Sequence, residues 1–394
     1  MKLSKEDARR IIVRSAGLHT KQPFGLGKQA VYDAINHIGY VQIDTISVVE
    51  RAHHHVLASR IPNYRKKWLF DLQHEGKILE YWAHAAAYLP MEDFRYTLPL
   101  KEFFGASRDR WPKSDKSLMT NVLDRVTNEG PLMARDFQAD GKRKGQGWWD
   151  WKPAKLALER LFFQGSLVIV GRRGFQKVYD LPENYIPGHI DTSRPSDEAY
   201  AEYLIERALR LHGIVSLPEI IYLRKKGRKI VKEVLNRKIE EKSLQKISIS
   251  GLEGQVYFTS PKILDESVRM TSQVKILSPF DNVAIQRNRL KNFFDFDYQI
   301  ECYVPEPKRI YGYFCLPLLY RDIFIGRIDA KADRKNNLLI IKNLHFENKT
   351  YSKVEPIKYQ QAISEFALFN GCREIVFRKS NDSTLLNEIM QRSF

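Results

Sequence analysis

Apolar residues recur every three or four positions along several stretches, and each such stretch predicts a helix. Ala8, Ile11, Ile12 and Ser15 share one face behind Ser4-Lys5-Glu6-Asp7, which has the form of a capping box, and Gly17 ends the run. Val31, Ile35 and Ile38 mark a second helix that begins near Lys28 and stops at Gly39. The next seven residues, Tyr40-Val41-Gln42-Ile43-Asp44-Thr45-Ile46, alternate in the manner of a strand. A strand would project Gln42 and Asp44 to one side, about 6.5 Å apart. Further helices are expected over 48–60, 115–127 and 197–211. Another follows Pro153, with Leu156, Leu158, Leu161 and Phe162 as its apolar positions.

Two β-hairpins follow helices. Ser166 to Tyr179 reads as strand, turn and strand, with Gly171-Arg172-Arg173-Gly174 at the tip. Residues 244–249 and 255–259 repeat that grammar after a short helix over 217–223 and a basic helix over 229–240. Helix, turn, helix, helix and hairpin is the winged-helix order, and the two leading helices look like a degenerate further copy. Tandem winged helices account best for residues 1 to about 270; unrelated helical domains with a few hairpins are the alternative. From Lys275 the composition turns aromatic and β-branched. Strands are expected over 298–304, 311–319, 323–330 and 338–344, closing into a small barrel with a helix over 358–370 and a final strand over 374–378.

At 394 residues the chain predicts more than one core, and 43% hydrophobic with 28% charged residues is a globular composition. No apolar run approaches the roughly 20 residues that span a bilayer, and the N-terminus lacks a signal-peptide core, so an intracellular protein without a membrane role is expected. Cys302, Cys315 and Cys372 form no pair with metal or disulfide spacing. A net charge of +17 favours a polyanionic partner. Lys142, Arg143 and Lys144 on one loop, with Arg172, Arg173 and Lys177 on the wing, are the candidate phosphate contacts. His53-His54-His55 fan out by about 100° each on a helix, so they cannot share a metal. An ordinary surface position is the first reading for all three, and at most one is functional, with His53 the one placed toward DNA. Gln42 and Asp44 are either solvated residues on an edge strand or a small catalytic pair: a carboxylate to stabilise positive charge or take a proton, beside an amide that can hold water. Asp281 reads as a loop or cap residue first and a site residue second.

Taken in order, Gln42-Ile43-Asp44-Thr45-Ile46, Glu80-Tyr81-Trp82-Ala83-His84, Gly147-Trp148-Trp149-Asp150-Trp151-Lys152-Pro153, Phe175-Gln176-Lys177-Val178-Tyr179-Asp180-Leu181, Leu277-Ser278-Pro279-Phe280-Asp281 and Pro307-Lys308-Arg309-Ile310-Tyr311-Gly312-Tyr313-Phe314 resemble the YcaQ-type winged-helix DNA glycosylases. That resemblance runs nearly end to end. It implies an α+β protein with three tandem winged-helix motifs (1–112, 113–190 and 191–270) and a C-terminal β-barrel over 271–394, arranged as a C-shaped clamp. It also implies monofunctional hydrolysis of N7-alkylguanine glycosidic bonds and unhooking of interstrand crosslinks in double-stranded DNA, with no metal or cofactor. The family's catalytic signature falls on Gln42 and Asp44, in the Asp form that resembles the broad-specificity branch. A monomer in a bacterial-type cytoplasm, associated with the nucleoid through DNA, is expected. The competing reading is a non-catalytic winged-helix transcriptional regulator.

Overall fold

A computed structural model describes residues 1–106, 116–137, 151–224, 226–266, 269–347 and 351–391. The chain groups into two compact units, Met1–Tyr64 with Ala201–Phe394, and Arg65–Tyr200. The compact units divide after Tyr64 and after Tyr200. Among the described residues no helix is long and apolar enough to cross a membrane.

In the larger unit the first helix, Lys5–Ser15, starts where the Ser4 hydroxyl accepts the Asp7 amide at 3.0 Å. Its apolar face, Ala8, Ile11, Ile12 and Val13, joins one core with Ile214, Ile247, Tyr257, Leu290 and Phe293. Burial against residues two hundred positions downstream is why the N-terminus folds with the C-terminal half. Lys2–Leu3 reinforces this by pairing in parallel with Ser248 and Ile249. The helices Asp197–His212, Leu217–Ile220 and Arg228–Glu240 precede an antiparallel hairpin of Gln245–Ile249 and Tyr257–Thr259, in the expected order.

The C-terminal sheet has five strands in the order Val274–Ile276, Cys315–Tyr320, Ile323–Asp333, Leu338–Phe346 and Glu374–Phe377. It is a curled half-barrel rather than a closed barrel. The final strand runs parallel to its neighbour, and register shifts at Leu318/Leu319 and Asp329/Ala330 bend the ladder. The helix Pro356–Phe369 contributes Tyr359, Ile363, Phe366 and Ala367 to the sheet's core. The strand expected over 298–304 does not form. Glu301 instead turns its carboxylate onto three backbone amides, at Ile310 (3.0 Å), Tyr311 (2.9 Å) and Gly312 (2.9 Å). Asp329 takes the next two, Tyr313 and Phe314, both at 3.1 Å. Two carboxylates thus satisfy five successive amides that a ladder would otherwise have to pair.

In the smaller unit, Lys116–Glu129, the short strand Leu132–Met133 and Trp151–Gln164 precede the hairpin Val168–Arg173 and Gln176–Asp180. Leu158, Leu161 and Phe162 are buried as expected, but Leu156 is 39% exposed, because it lies off the face those three share. The Lys101 ammonium is enclosed instead by the rings of Phe94 and Tyr81, at 3.9 and 5.0 Å, and burial pushes its pKa down to about 7. The unfolded chain therefore binds the extra proton between about pH 7 and the ordinary lysine value, and stability rises with pH across that window. Lys101→Met is expected to raise stability at pH 7 by about 1–4 kcal/mol and to remove that rise, as read by urea unfolding at several pH values.

Candidate active site and nucleic-acid interface

The stretch carrying Gln42 and Asp44 is a strap set between two fixed points. At its start the helix Gly27–Ile38 ends on Gly39, whose φ of +76° lets its amide close back on the Ile35 carbonyl at 2.8 Å. A Cβ at Gly39 would lie 2.6 Å from Cγ of Arg207, so glycine is needed for space as well as conformation. At its far end the Val48 carbonyl accepts the Ala332 amide at 2.8 Å, and the Glu50 amide donates to Asn370 at 2.7 Å. Ile46, between these points, packs on the core of the C-terminal sheet.

Only Val41–Gln42 is strand, so the alternation expected through Ile46 stops early. Tyr40, Val41, Gln42 and Ile43 are all buried, which removes the in–out pattern. The reason is local. Oδ1 of Asp44 accepts the Ile46 amide at 2.7 Å, and that turn takes a backbone donor away from any ladder. Among the described residues the other carboxylate oxygen of Asp44 has no hydrogen-bond partner. Partial burial raises the Asp44 pKa, with the Ile46 amide pulling the other way. The result is one half-buried carboxylate, anchored through one oxygen and open at the other. Its charge acts on the Cys302 thiol and the Tyr303 phenol, which lie on the loop ordered by Glu301. Gln42 is 8% exposed and belongs to the buried part of the strap.

Behind the strap lies a wholly buried ion pair. Arg60 donates to both oxygens of Asp281, at 2.6 and 2.9 Å, with neither side chain exposed. Arg60 also donates to the carbonyls of Ala16 (2.8 Å) and Val56 (2.9 Å), and Asp281 accepts the Val283 amide at 3.1 Å. The adjacent Asn282 donates to the Tyr40 carbonyl at 3.1 Å, two residues before Gln42. Asp281 lies in a loop and caps the Val283 amide, as expected, and its burial against Arg60 makes it an internal brace as well. Its partner is Arg60, which belongs to no motif that sequence reasoning singles out.

The three histidines also depart from expectation. His53, His54 and His55 lie on the helix Ala52–Ala58 and are all buried, so the surface reading is corrected. His54 bonds to the Tyr64 hydroxyl at 2.9 Å. Nε2 of His55 donates to the Ile276 carbonyl at 2.9 Å, and burial pushes its pKa down to about 4, which holds the ring neutral. His53, at 3% exposed, presents no face to a phosphate.

Among the candidate phosphate contacts, Arg172 is nearly buried and forks onto Glu80, at 2.9 and 2.6 Å. The Glu80 bonds tie the hairpin to the strand Ile78–Trp82, and a third bond, to the Phe175 carbonyl, closes the hairpin tip on itself, so Arg172 acts as a tether. Arg173 is exposed at the hairpin tip, while Lys177 is half-buried over the Phe162 ring with Glu159 at 3.9 Å. Lys142, Arg143 and Lys144 lie outside the described residues. Among the described residues no three His, Cys, Asp or Glu side chains are grouped to share a metal ion.

Residues 35–362 match the family model described as DNA glycosylase AlkZ-like. Among solved structures, the DNA glycosylase AlkZ of Streptomyces sahachiroi matches with a TM-score of 0.64 at 13% identity, covering 96% of this chain and 100% of that one. At that identity the likeness is one of fold, and it spans both compact units.

Proposed function

Because the chain belongs to the AlkZ-like DNA glycosylase family, we propose that it excises cationic N7-alkylguanines from duplex DNA, including guanines held in interstrand crosslinks, with Asp44 as the central catalytic group. Family membership sets aside the non-catalytic regulator. The observation that carries the assignment to Asp44 is its carboxylate: half-buried, fixed through one oxygen by the Ile46 amide, and open at the other.

The chemistry asks little of a general acid. Alkylation at N7 makes the base cationic, so the C1′–N9 bond breaks with its electron pair moving to a base that leaves neutral. Positive charge then develops on the sugar, and the open oxygen of Asp44 stabilises it. Water adds to C1′ from the face opposite the departing base, and its proton passes to Asp44 and on to solvent. Gln42 orients that water, as an amide can donate and accept at once. The division of labour matches that at O-glycosidic bonds, and it draws on no cofactor.

Our reading of the architecture is that residues 116–180 and 197–259 are winged helices, that the N-terminal helices form a third, and that all three grip DNA as a clamp. Arg173 and Lys177 remain the proposed phosphate contacts, together with Lys142, Arg143 and Lys144; Arg172 keeps the wing in place. Such a protein works as a monomer on the bacterial-type nucleoid. Arg173→Ala is expected to weaken binding to all duplex sequences alike and to reduce the slope of log K against log salt by about 0.9. Fluorescence anisotropy at several salt concentrations reads both effects.

The test of function is appearance of free N7-methylguanine from a methylated duplex, with unhooking of a crosslinked duplex followed alongside. The reading expects both products from the wild-type chain. Release from neither substrate would leave a protein that binds DNA without cleaving glycosidic bonds.

A further inference from the structure

We propose that the larger unit carries a second ligand site, a cavity that takes a small amphipathic anion with its acidic head on Lys275 and its apolar body against Phe366 and Phe369. The cavity has a volume of about 480 Å³, in the range of small-molecule sites. Its walls are the end of the helix Ala52–Ala58 with residues 59–64, the strand Val274–Ile276, the helix Pro356–Phe369 and part of the loop before Gly27. All of these belong to the larger unit, and neither Gln42 nor Asp44 lines the cavity. It is no part of the proposed active site.

The head position is set by Lys275. Its neighbours Val274 and Ile276 point into the core of the C-terminal sheet, so the alternation of a strand turns Lys275 to the other side, toward the cavity. Its ammonium donates to the Ser59 carbonyl at 3.0 Å. An ammonium has three donors, and among the described residues Ser59 is its one hydrogen-bond partner. Two donors are left for a ligand. Burial pushes the Lys275 pKa down to about 8; Arg60 and Lys21 add to the fall, while Glu365 and Asp281 oppose it. Among the described residues neither carboxylate is ion-paired with Lys275, and Asp281 is held by Arg60. A cation that has lost water without gaining a counterion is stabilised by an anionic head. Lys21, exposed at the mouth, adds a second positive charge, whereas Lys358 is paired with Glu355 at 3.3 Å.

The body position is apolar. The neutral ring of His55 packs on Phe366 and Phe369, at 5.1 and 6.0 Å, and its bond to the Ile276 carbonyl fixes it there. At the mouth Leu26 and Leu368 are 58% and 67% exposed. A single exposed leucine means little, but two on the rim of one cavity are apolar surface that a ligand would cover. The combination selects among ligands. Inorganic phosphate brings no apolar surface to bury, and an uncharged hydrocarbon leaves Lys275 without a partner.

The experiment titrates the full-length protein with anilinonaphthalene sulfonate, a fluorescent amphipathic anion, and competes the dye with decanoate and with inorganic phosphate. Wild type, Lys275→Met and Ala362→Trp are compared, each checked for folding by its melting curve. Ala362 lines the cavity from Pro356–Phe369, so a tryptophan there fills the space while Lys275 stays. Wild type is expected to bind one dye per chain, displaced by decanoate and not by phosphate. Lys275→Met should bind the dye roughly 10- to 150-fold more weakly, the span of one hydrogen bond to a charged group. Ala362→Trp should not bind it. Wild-type affinity should fall as pH rises through about 8, because only the ammonium attracts the head, and the affinity of Lys275→Met should not. Equal affinity in wild type and Ala362→Trp would put the dye elsewhere and overturn the site. Binding lost in Ala362→Trp but unchanged in Lys275→Met would overturn the anion assignment. A wild type that binds neither dye nor decanoate would overturn the proposal outright.

Discussion

Replacing Asp44 with Asn is expected to slow single-turnover release of N7-methylguanine by about 10²–10⁴-fold while duplex binding is kept, the range for losing a positioned acid–base group. Asn is nearly isosteric, and its side-chain oxygen can still accept the Ile46 amide that Asp44 holds at 2.7 Å. The turn therefore survives and only the charge is lost. Removing a negative group from a site that meets phosphates should leave affinity equal or slightly higher. Base release followed by chromatography, with anisotropy on the same substrate, separates the two quantities. Gln42→Ala should have the smaller effect on rate, because it removes a group that orients water and leaves the charge in place.

Asp281→Ala is expected to destabilise the fold by about 3–5 kcal/mol, the usual consequence of leaving one half of a buried ion pair alone. Arg60 has no exposed surface on which to find water, and both its bonds to Asp281 would be gone. Its bonds to the Ala16 and Val56 carbonyls remain, but neither supplies a negative charge. Urea unfolding at pH 7 would show the loss as a lower midpoint. Arg60→Met combined with Asp281→Leu should recover most of it, since apolar replacements remove both desolvated charges at once. The double variant is still expected to release base slowly, because the strap that Asn282 holds at Tyr40 would lose its backing.

What could be read from the sequence was decided locally. The first helix with its Ser4 cap, the stop at Gly39 and the hairpin tip at Gly174 depend on residues within a turn of one another, and each formed as expected. The failures depend on distant partners. Nothing near Tyr298 announces that Glu301 will gather amides nine to eleven residues on and so dissolve a strand. Alternation through Asp44 was equally compatible with a strand until its side chain took the Ile46 amide. The histidines looked polar enough for the surface, yet the Ile276 carbonyl and the Tyr64 hydroxyl give His55 and His54 partners from other segments. Asp281 lay in a loop motif whose partner, Arg60, stands 221 positions away. Of the candidate pair, the sequence named the residues but not their setting. The half-burial of Asp44 and its neighbours Cys302 and Tyr303 belong to the tertiary structure. One signal is available in the sequence: Lys308-Arg309 is polar punctuation between apolar runs.

The central claim, that an ionised Asp44 drives cleavage of the glycosidic bond, is tested most directly by the pH dependence of release. Single-turnover rates would be measured under saturating wild type and Asp44→Asn on one methylated duplex. Burial raises the Asp44 pKa, so the wild-type rate should fall on acidification with a midpoint above the ordinary aspartate value. The Asp44→Asn rate should be low and lack that fall. An Asp44→Asn protein that releases base at the wild-type rate, with the same pH profile, would contradict the claim.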